Sequence, residues 1–523
     1  MRRRIVTALA AALVAVALLL PSTVGDLSPW AFLRLPVEAL AAVLALLLLP
    51  AGARRPAAVA LGAVLGLLLL VKALDLGFGS VRDEPFDLVL DWPLLPPAVE
   101  YLATTGGQAL ALAVVVAVCA AALAVVVLTA LATGRLVRIA AGRRTAVLRG
   151  TALLSAVWVV VAIPGLPVAA APAWSTALQH ARQVGISLGD ADAFAAEVAA
   201  DRFAGRPLLG ALPRHDVLLV FVESYGRTAL EHPELAPSVG AVLDAGTERL
   251  AAAGYAARSG YLTSTTSGGG SWLAHATLLA GVRVDNQPRY DALMGRDRLT
   301  LPKAFQAAGW STFGVMPGIT RDWPEGAFFG YDRVYPAAEM GYAGPAFGYA
   351  TMPDQYALAF LERVRRANGP LFAVVPVLSS HAPWRPLPSA LPWPGVGDGS
   401  VFATMPHGGE WPQAIWTRPA AEVRADYGKS LEYSWATLVS YLDSHAEGAP
   451  VVIAVGDHQP AAMVTGNSPN RDSPITLISR DPEVLDRIAD WRWTPGLRPA
   501  PEAPTWPMAA FRDRFLTAFG SAG

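Results

Sequence analysis

The residues of this sequence best suited to chemistry stand where hydrophobic runs end. Val451-Val452-Ile453-Ala454-Val455 leads straight into Gly456-Asp457-His458-Gln459-Pro460, so a carboxylate and an imidazole arrive side by side. A second run, 216–224, ends in Glu223-Ser224, and a third, 371–380, ends in Ser379-Ser380 and is followed by His381. A buried central strand reads as a continuous β-branched and apolar run, and open α/β sheets place their polar site residues at the carboxyl ends of such strands. A polar turn capped by Asp457 and a histidine satisfied at a strand end would use the same residues without chemistry. A fourth piece, 263–281, reads TSTTSGGGSWLAHATLLAG. A glycine run entering a helix leaves backbone N–H groups free at the helix N-terminus, which favours a bound anion and lowers the cost of ionising a hydroxyl there. Ser271 sits at that entry, where it could equally serve as an ordinary N-cap.

The elements that must position these residues alternate. From residue 215 onward, β-rich runs at 216–224, 311–316, 371–380 and 450–458 are separated by helix-like stretches such as 238–254 and 424–445. This pattern predicts a largely parallel sheet with helices on both faces and one crevice lined by the strand ends.

The first third of the chain is of another kind. Of 523 residues 53% are hydrophobic and only 16% charged, and the apolar excess lies before about residue 175. Five stretches, 5–21, 30–50, 57–75, 107–134 and 147–170, approach the ~20 residues a helix needs to cross hydrocarbon. A five-helix membrane bundle over 1–172 follows, then linker helices over 173–210 and a globular domain over 211–523. The first stretch, behind Met1-Arg2-Arg3-Arg4, could also be a signal peptide. The proline- and aromatic-rich segment 91–102 is short for a span and suits the membrane interface. Arg2 to Arg4, Arg54, Arg55, Arg135, Arg138, Arg143, Arg144 and Arg149 all fall on one face of this arrangement. That face is then cytoplasmic, with the N-terminus inside and residues 173–523 exported. A net charge of −1 without a long basic stripe argues against a nucleic-acid partner. The single cysteine, Cys119, excludes an intrachain disulfide framework or a cysteine-built zinc site.

VLLVFVES, SWLAHATLLAG, SSHAPW and VVIAVGDHQP stand in the order, and roughly at the spacing, of the metal-site segments of the alkaline phosphatase and sulfatase superfamily. Within it, the layout resembles the membrane-anchored lipoteichoic acid synthase and phosphoglycerol transferase branch. The resemblance implies that Glu223, Asp457 and His458 hold one divalent cation, with Ser271 as fourth ligand and nucleophile. It implies manganese first, with zinc or magnesium as alternatives; a mixed carboxylate, imidazole and alkoxide set suits manganese or zinc. It further implies that His381 faces the substrate phosphoryl group and that Arg321 and Trp323 hold its head group, although a plain surface loop would also carry those two. The sulfatase signature is not kept, His275 standing in place of its arginine, so a hydroxyl nucleophile is the better fit. Thr265, Thr266 and Ser267 are rivals to Ser271, because the transferase branch usually presents a threonine followed by polar residues.

The reading that results is a membrane-anchored transferase that moves a phospho-head group from a phospholipid to a cell-envelope acceptor through a covalent phospho-serine. A phosphoester or sulfate-ester hydrolase of the same superfamily is the enzymatic alternative, and a non-catalytic lipid-binding sensor the other. Head group, acceptor and oligomeric state are not written in the sequence.

Overall fold

The computed structural model describes all residues except 24, 83, 164–168, 366–369, 410–411, 446–447, 467 and 521–523. The chain divides into two compact units, Met1–Asp190 and Ala191–Gly523. Of the expected linker helices, Pro172–Leu188 thus falls in the first unit and most of Asp190–Ala199 in the second.

The first unit is helical. Among the described residues three helices are long and apolar enough to cross a membrane: Ala51–Ser80, Gln108–Ala141 and Arg144–Ala162. Five were expected. The helix Arg2–Leu19 carries three arginines in its first turn, and Val37–Leu48 has only 12 residues, about 18 Å of rise against a hydrocarbon core of about 30 Å. The stretch 164–168, which closes the fifth expected span, lies outside the described residues. Lys72, fully buried, donates to the carbonyls of Ala17 and Leu18 at the C-terminal end of the first helix. Asp75 meets His180 Nε2 at 2.9 Å. Charged groups survive in such apolar surroundings only when paired in this way.

The second unit is built on one nine-stranded sheet. In chain order its strands are β1 (Val217–Val222), β2 (Ala256–Thr263), β3 (Ser311–Met316), β4 (Arg333–Pro336), β5 (Leu371–Val377), β6 (Val451–Gly456), β7 (Asp472–Ser479), β8 (Thr494–Pro495) and β9 (Thr505–Pro507). The spatial order is β8-β2-β7-β6-β1-β5-β3-β4, with β9 beside β2. The run β6-β1-β5-β3-β4 is parallel, whereas β6-β7, β7-β2 and β2-β8 are antiparallel. With β9 parallel to β2 as well, five of the eight pairings among the described residues are parallel and three antiparallel, so the sheet is mixed, its antiparallel pairings lying on the β6-to-β8 side. Among the described residues the connection from β6 to β7 holds one helix, the four-residue Ala462–Thr465, far shorter than the helix that usually makes a parallel crossover.

β1, β5 and β6 are buried along their whole length, as expected of strands covered on both faces. Alternate side chains feed two cores. Leu218, Val220, Val375 and Val452 meet the helices Ala236–Ala252, Asp354–Arg365 and Ala420–Ser444, while Leu219, Phe221, Val374 and Ile453 meet Ser271–Ala280 and Ala510–Ala518. Helices thus sandwich the sheet.

Candidate functional site

Register brings the strand ends to one level. Val222 pairs with Val377 on one side and Gly456 on the other, so Glu223, Leu378 and Asp457 leave the sheet together. The crossing is tight on the β6 side: a Cβ on Gly456 would lie 1.8 Å from the Tyr225 carbonyl oxygen. Gly456→Ala is expected to destabilise the fold by about 4 kcal/mol or more, because backbone must move to relieve the overlap; a chemical unfolding curve within 1 kcal/mol of the parent would contradict this.

The loop after β1 carries its own constraint. Ser224 has φ +55°, uncommon for a residue with a Cβ. It is held there by hydrogen bonds: its N–H donates to Asp457 Oδ1, its hydroxyl to Glu223 Oε1, and its carbonyl accepts from the Tyr427 hydroxyl. Ser380 Oγ donates to the Glu223 carbonyl at 2.6 Å. The turn from β5 into His381 is fixed by Asp354, a residue the sequence did not single out. Fully buried, it accepts the N–H groups of Leu378 and Ser379.

Asp457 answers both readings of its motif. Its Oδ1 accepts from the N–H of Ser224 and of His458, each at 2.8 Å, which is the capping role of a polar turn. Its Oδ2 is buried and has no hydrogen-bond partner. Burial opposes ionisation, yet the positive charge of His458 and the nearness of His275 hold the carboxyl well below its usual range. Leaving a neutral polar atom so placed costs about 1–3 kcal/mol, and a charged one more. A cation beside Oδ2 would offset that cost.

The neighbouring donors fit one. Glu223, Asp457 and His458 each offer a ligand atom, all within 4.8 Å of one another. His458 Nδ1 donates to the Gln459 carbonyl at 2.7 Å, which turns Nε2 inward, where a bound cation would take the place of its proton. That Nε2 stands 3.5 Å from Glu223 Oε1 and 3.7 Å from Asp457 Oδ2. Donors bonded at about 2.1 Å to one tetrahedral ion are roughly 3.4 Å apart, so little movement is needed. Two carboxylates with one imidazole suit a first-row divalent ion.

Ser271 completes the group. Gly268, Gly269 and Gly270 all have positive φ, and Gly270, at φ +81°, is the N-cap of the helix Ser271–Ala280. Ser271 is therefore the first helical residue and not the cap. Its hydroxyl donates to Glu223 Oε2 at 3.1 Å and lies 3.1 Å from His458 Nε2. The three rivals sit elsewhere. Thr265 Oγ1 pairs with Thr277 Oγ1, Thr266 Oγ1 is buried without a partner, and the Ser267 backbone forms a parallel bridge with that of Gln459.

A cavity of about 260 Å³ opens beside Ser271, lined among others by Glu223, His275, Trp323, Tyr349 and His381. His381 stacks on Tyr349 with centroids 3.8 Å apart, and its Nδ1 donates to the Ala382 carbonyl at 2.7 Å. Trp323 lines the cavity, stacked on Phe329. Arg321 is exposed and outside the lining.

His275 is the member that sequence reading missed as a site residue. One turn beyond Ser271, its ring stacks on Phe221 at 3.8 Å. Its buried Nε2 has no hydrogen-bond partner and faces Asp457 Oδ2 at 3.8 Å. Two orphaned polar atoms at that spacing are placed to share a cation or to bond when one is present. The available signal was a histidine four residues after the serine, hence on the same helix face. His275→Ala is expected to weaken binding of a divalent ion by about 10–100-fold, measured by competition with a chelator; unchanged affinity would make the contact incidental.

No protein-family model matches the sequence, and no curated protein matches it. Solved structures similar to it include a protein of the alkaline phosphatase superfamily from Vibrio parahaemolyticus, a lipoteichoic acid synthase and a phosphoglycerol transferase. The lipooligosaccharide phosphoethanolamine transferase EptA of Neisseria meningitidis is 13% identical, with 93% of this chain and 87% of that one covered at a TM-score of 0.43. The phosphoglycerol transferase GacH of Streptococcus pyogenes is also 13% identical, over 63% of this chain and 79% of the other, at 0.39. The lipoteichoic acid synthase LtaP of Listeria monocytogenes is 14% identical, over 51% of this chain and 66% of the other, just under two thirds of its length, at 0.36. At such scores these likenesses add no weight to the site, which stands on its own geometry.

Proposed function

We propose that this protein is a membrane-anchored, metal-dependent transferase that takes a phospho-head group from a lipid phosphodiester onto Ser271 and passes it to a cell-envelope acceptor. The observation that carries the reading is the position of Ser271 Oγ, 3.1 Å from both Glu223 Oε2 and His458 Nε2, at a helix N-terminus and at the mouth of a cavity.

Glu223, Asp457, His458 and Ser271 would hold the ion, manganese in first place and zinc or magnesium as alternatives. When bound, it supplies positive charge that lowers the serine pKa and offsets charge on phosphoryl oxygens. Ser271 Oγ attacks phosphorus as its proton passes to Glu223 Oε2, which already accepts from it, and the bond from phosphorus to the leaving alkoxide breaks; the proton returns to Oγ when Ser271 is released. His381, whose Nδ1 is tied to the Ala382 carbonyl, gives a proton from Nε2 to that oxygen. In the second half an acceptor hydroxyl loses its proton to His381 and attacks phosphorus, releasing Ser271. The free N–H groups at the start of the helix Ser271–Ala280 stabilise the phosphoryl oxygens in both halves. Trp323, which lines the cavity, packs on the bound group.

With water as the acceptor the same steps describe a hydrolase. Incubation of the full-length protein with envelope lipids and Mn²⁺, followed by peptide mass spectrometry, should find Ser271 carrying the head-group phosphate. A metal-loaded protein without an adduct on any serine or threonine of 264–271, and without turnover, would leave a lipid-binding role.

We infer the same orientation from arginine placement: three spans and five are both odd, so either leaves residues 191–523 outside the cytoplasm. A reporter fused after residue 175 is expected to be active only as an exported fusion; cytoplasmic activity would refute the orientation.

A further inference from the structure

The cavity at Ser271 is built for one kind of substituent. From the helix Ser271–Ala280 it is lined by Ser271, Trp272, His275 and Leu279, one face followed for two turns, about 12 Å. The opposite wall is Val374, Pro376 and Leu378, alternate positions and hence one face of β5 and its extension. Met316, Tyr331 and Phe329 close the far side. Glu223, His275 and His381 lie at the phosphoryl end; among the described residues the remainder is lined by no lysine, arginine, aspartate or amide side chain, its polar side-chain groups being the hydroxyls of Tyr290, Tyr331 and Tyr349 and the indole N–H groups of Trp272 and Trp323. An ethanolamine ammonium would find no counter-charge in this remainder, whose walls are mostly apolar, and each buried polar group left unpaired counts heavily against binding.

We propose that the slot takes an alkyl or prenyl group, joined through oxygen to the phosphorus that Ser271 attacks. This rests on the phosphorus chemistry proposed above and adds the class of substrate. A dry apolar cavity of about 150 Å³ holds a benzene ring, so the 260 Å³ here accommodates roughly ten non-hydrogen atoms in an elongated arrangement, those of the phosphoryl group included. Ester-linked chains of this kind occur on membrane lipids and on soluble esters.

The test uses the full-length protein in lipid nanodiscs with Mn²⁺ and a series of methyl-, butyl- and octylphosphonate, with glycerol phosphate alongside. Affinity is expected to rise up to roughly fourfold per methylene, with octylphosphonate at least about 100-fold tighter than the methyl compound and tighter than glycerol phosphate. Leu279→Phe or Met316→Phe should flatten the series while leaving methylphosphonate binding intact, which also shows that the variant is folded. A flat series in the parent protein, or glycerol phosphate binding as tightly as octylphosphonate, overturns the slot and spares the chemistry at Ser271. A rise that both filled variants preserve assigns the gain to bilayer partition and also overturns it. If even methylphosphonate fails to bind in a metal-dependent way, the phosphorus chemistry falls and the slot proposal with it. Competition by a prenyl phosphate placed in the bilayer supports the slot with a lipid as its source, whereas competition only by dissolved phosphonates supports it with a soluble ester.

Discussion

Ser271→Ala is expected to lower turnover on the order of 10⁴-fold or more while the protein still binds its cation. Loss of a covalent nucleophile removes the bond-forming atom itself, and losses of that size or larger are usual when the residual activity comes only from the remaining site. Glu223, Asp457 and His458 still present their ligand atoms within 4.8 Å of one another, so ion affinity should fall modestly. Ser271→Thr keeps a hydroxyl at the first helical position and should retain part of the activity, the added methyl crowding the cavity. The decisive comparison is with Thr265, Thr266 and Ser267. Full turnover in Ser271→Ala, with activity abolished by substitution at one of those three, would place the nucleophile upstream.

Asp457→Ala should remove cation and turnover together. Oδ2 loses its role as a ligand, and Oδ1 no longer accepts the Ser224 and His458 N–H groups, so the strained turn that holds Glu223 loosens as well. The loss of ion affinity should exceed the roughly 10–100-fold expected where only an outer partner of a ligand is removed, as in His275→Ala. Elemental analysis after desalting, beside calorimetric titration with Mn²⁺ and Zn²⁺, separates the two variants. Stoichiometric ion retained by Asp457→Ala would show that the carboxylate does not hold it.

The sheet's parallel run was legible because β1, β5 and β6 are uninterrupted β-branched and apolar segments, a pattern that local composition alone produces in strands covered on both faces. The motifs at their ends were legible for the same reason: polar residues that abruptly close such a run stand out. The antiparallel side was not, since β2 and β7 include Ser259, Gly260, Thr263 and Ser473 and lack so clear a signature. In the first unit, average hydropathy marked apolar stretches without saying where each helix stops. Val37–Leu48 and Ala51–Arg82 divide that composition so that one segment is too short to cross and the next more than long enough.

By itself the sequence determined which side chains could do chemistry and that they lie at element ends, because strand and helix boundaries are local properties of the chain. Only the tertiary structure decided that β6, β1 and β5 are neighbours in register, which turns Glu223 and Asp457, more than 200 residues apart, into one site. It also decided that Ser271 rather than Thr265 reaches them, that His275 turns its ring toward Asp457, and that the cavity beside them is apolar. These outcomes depend on which distant surfaces pack together, and non-local packing is set by the summed burial of both cores rather than by any short stretch of residues.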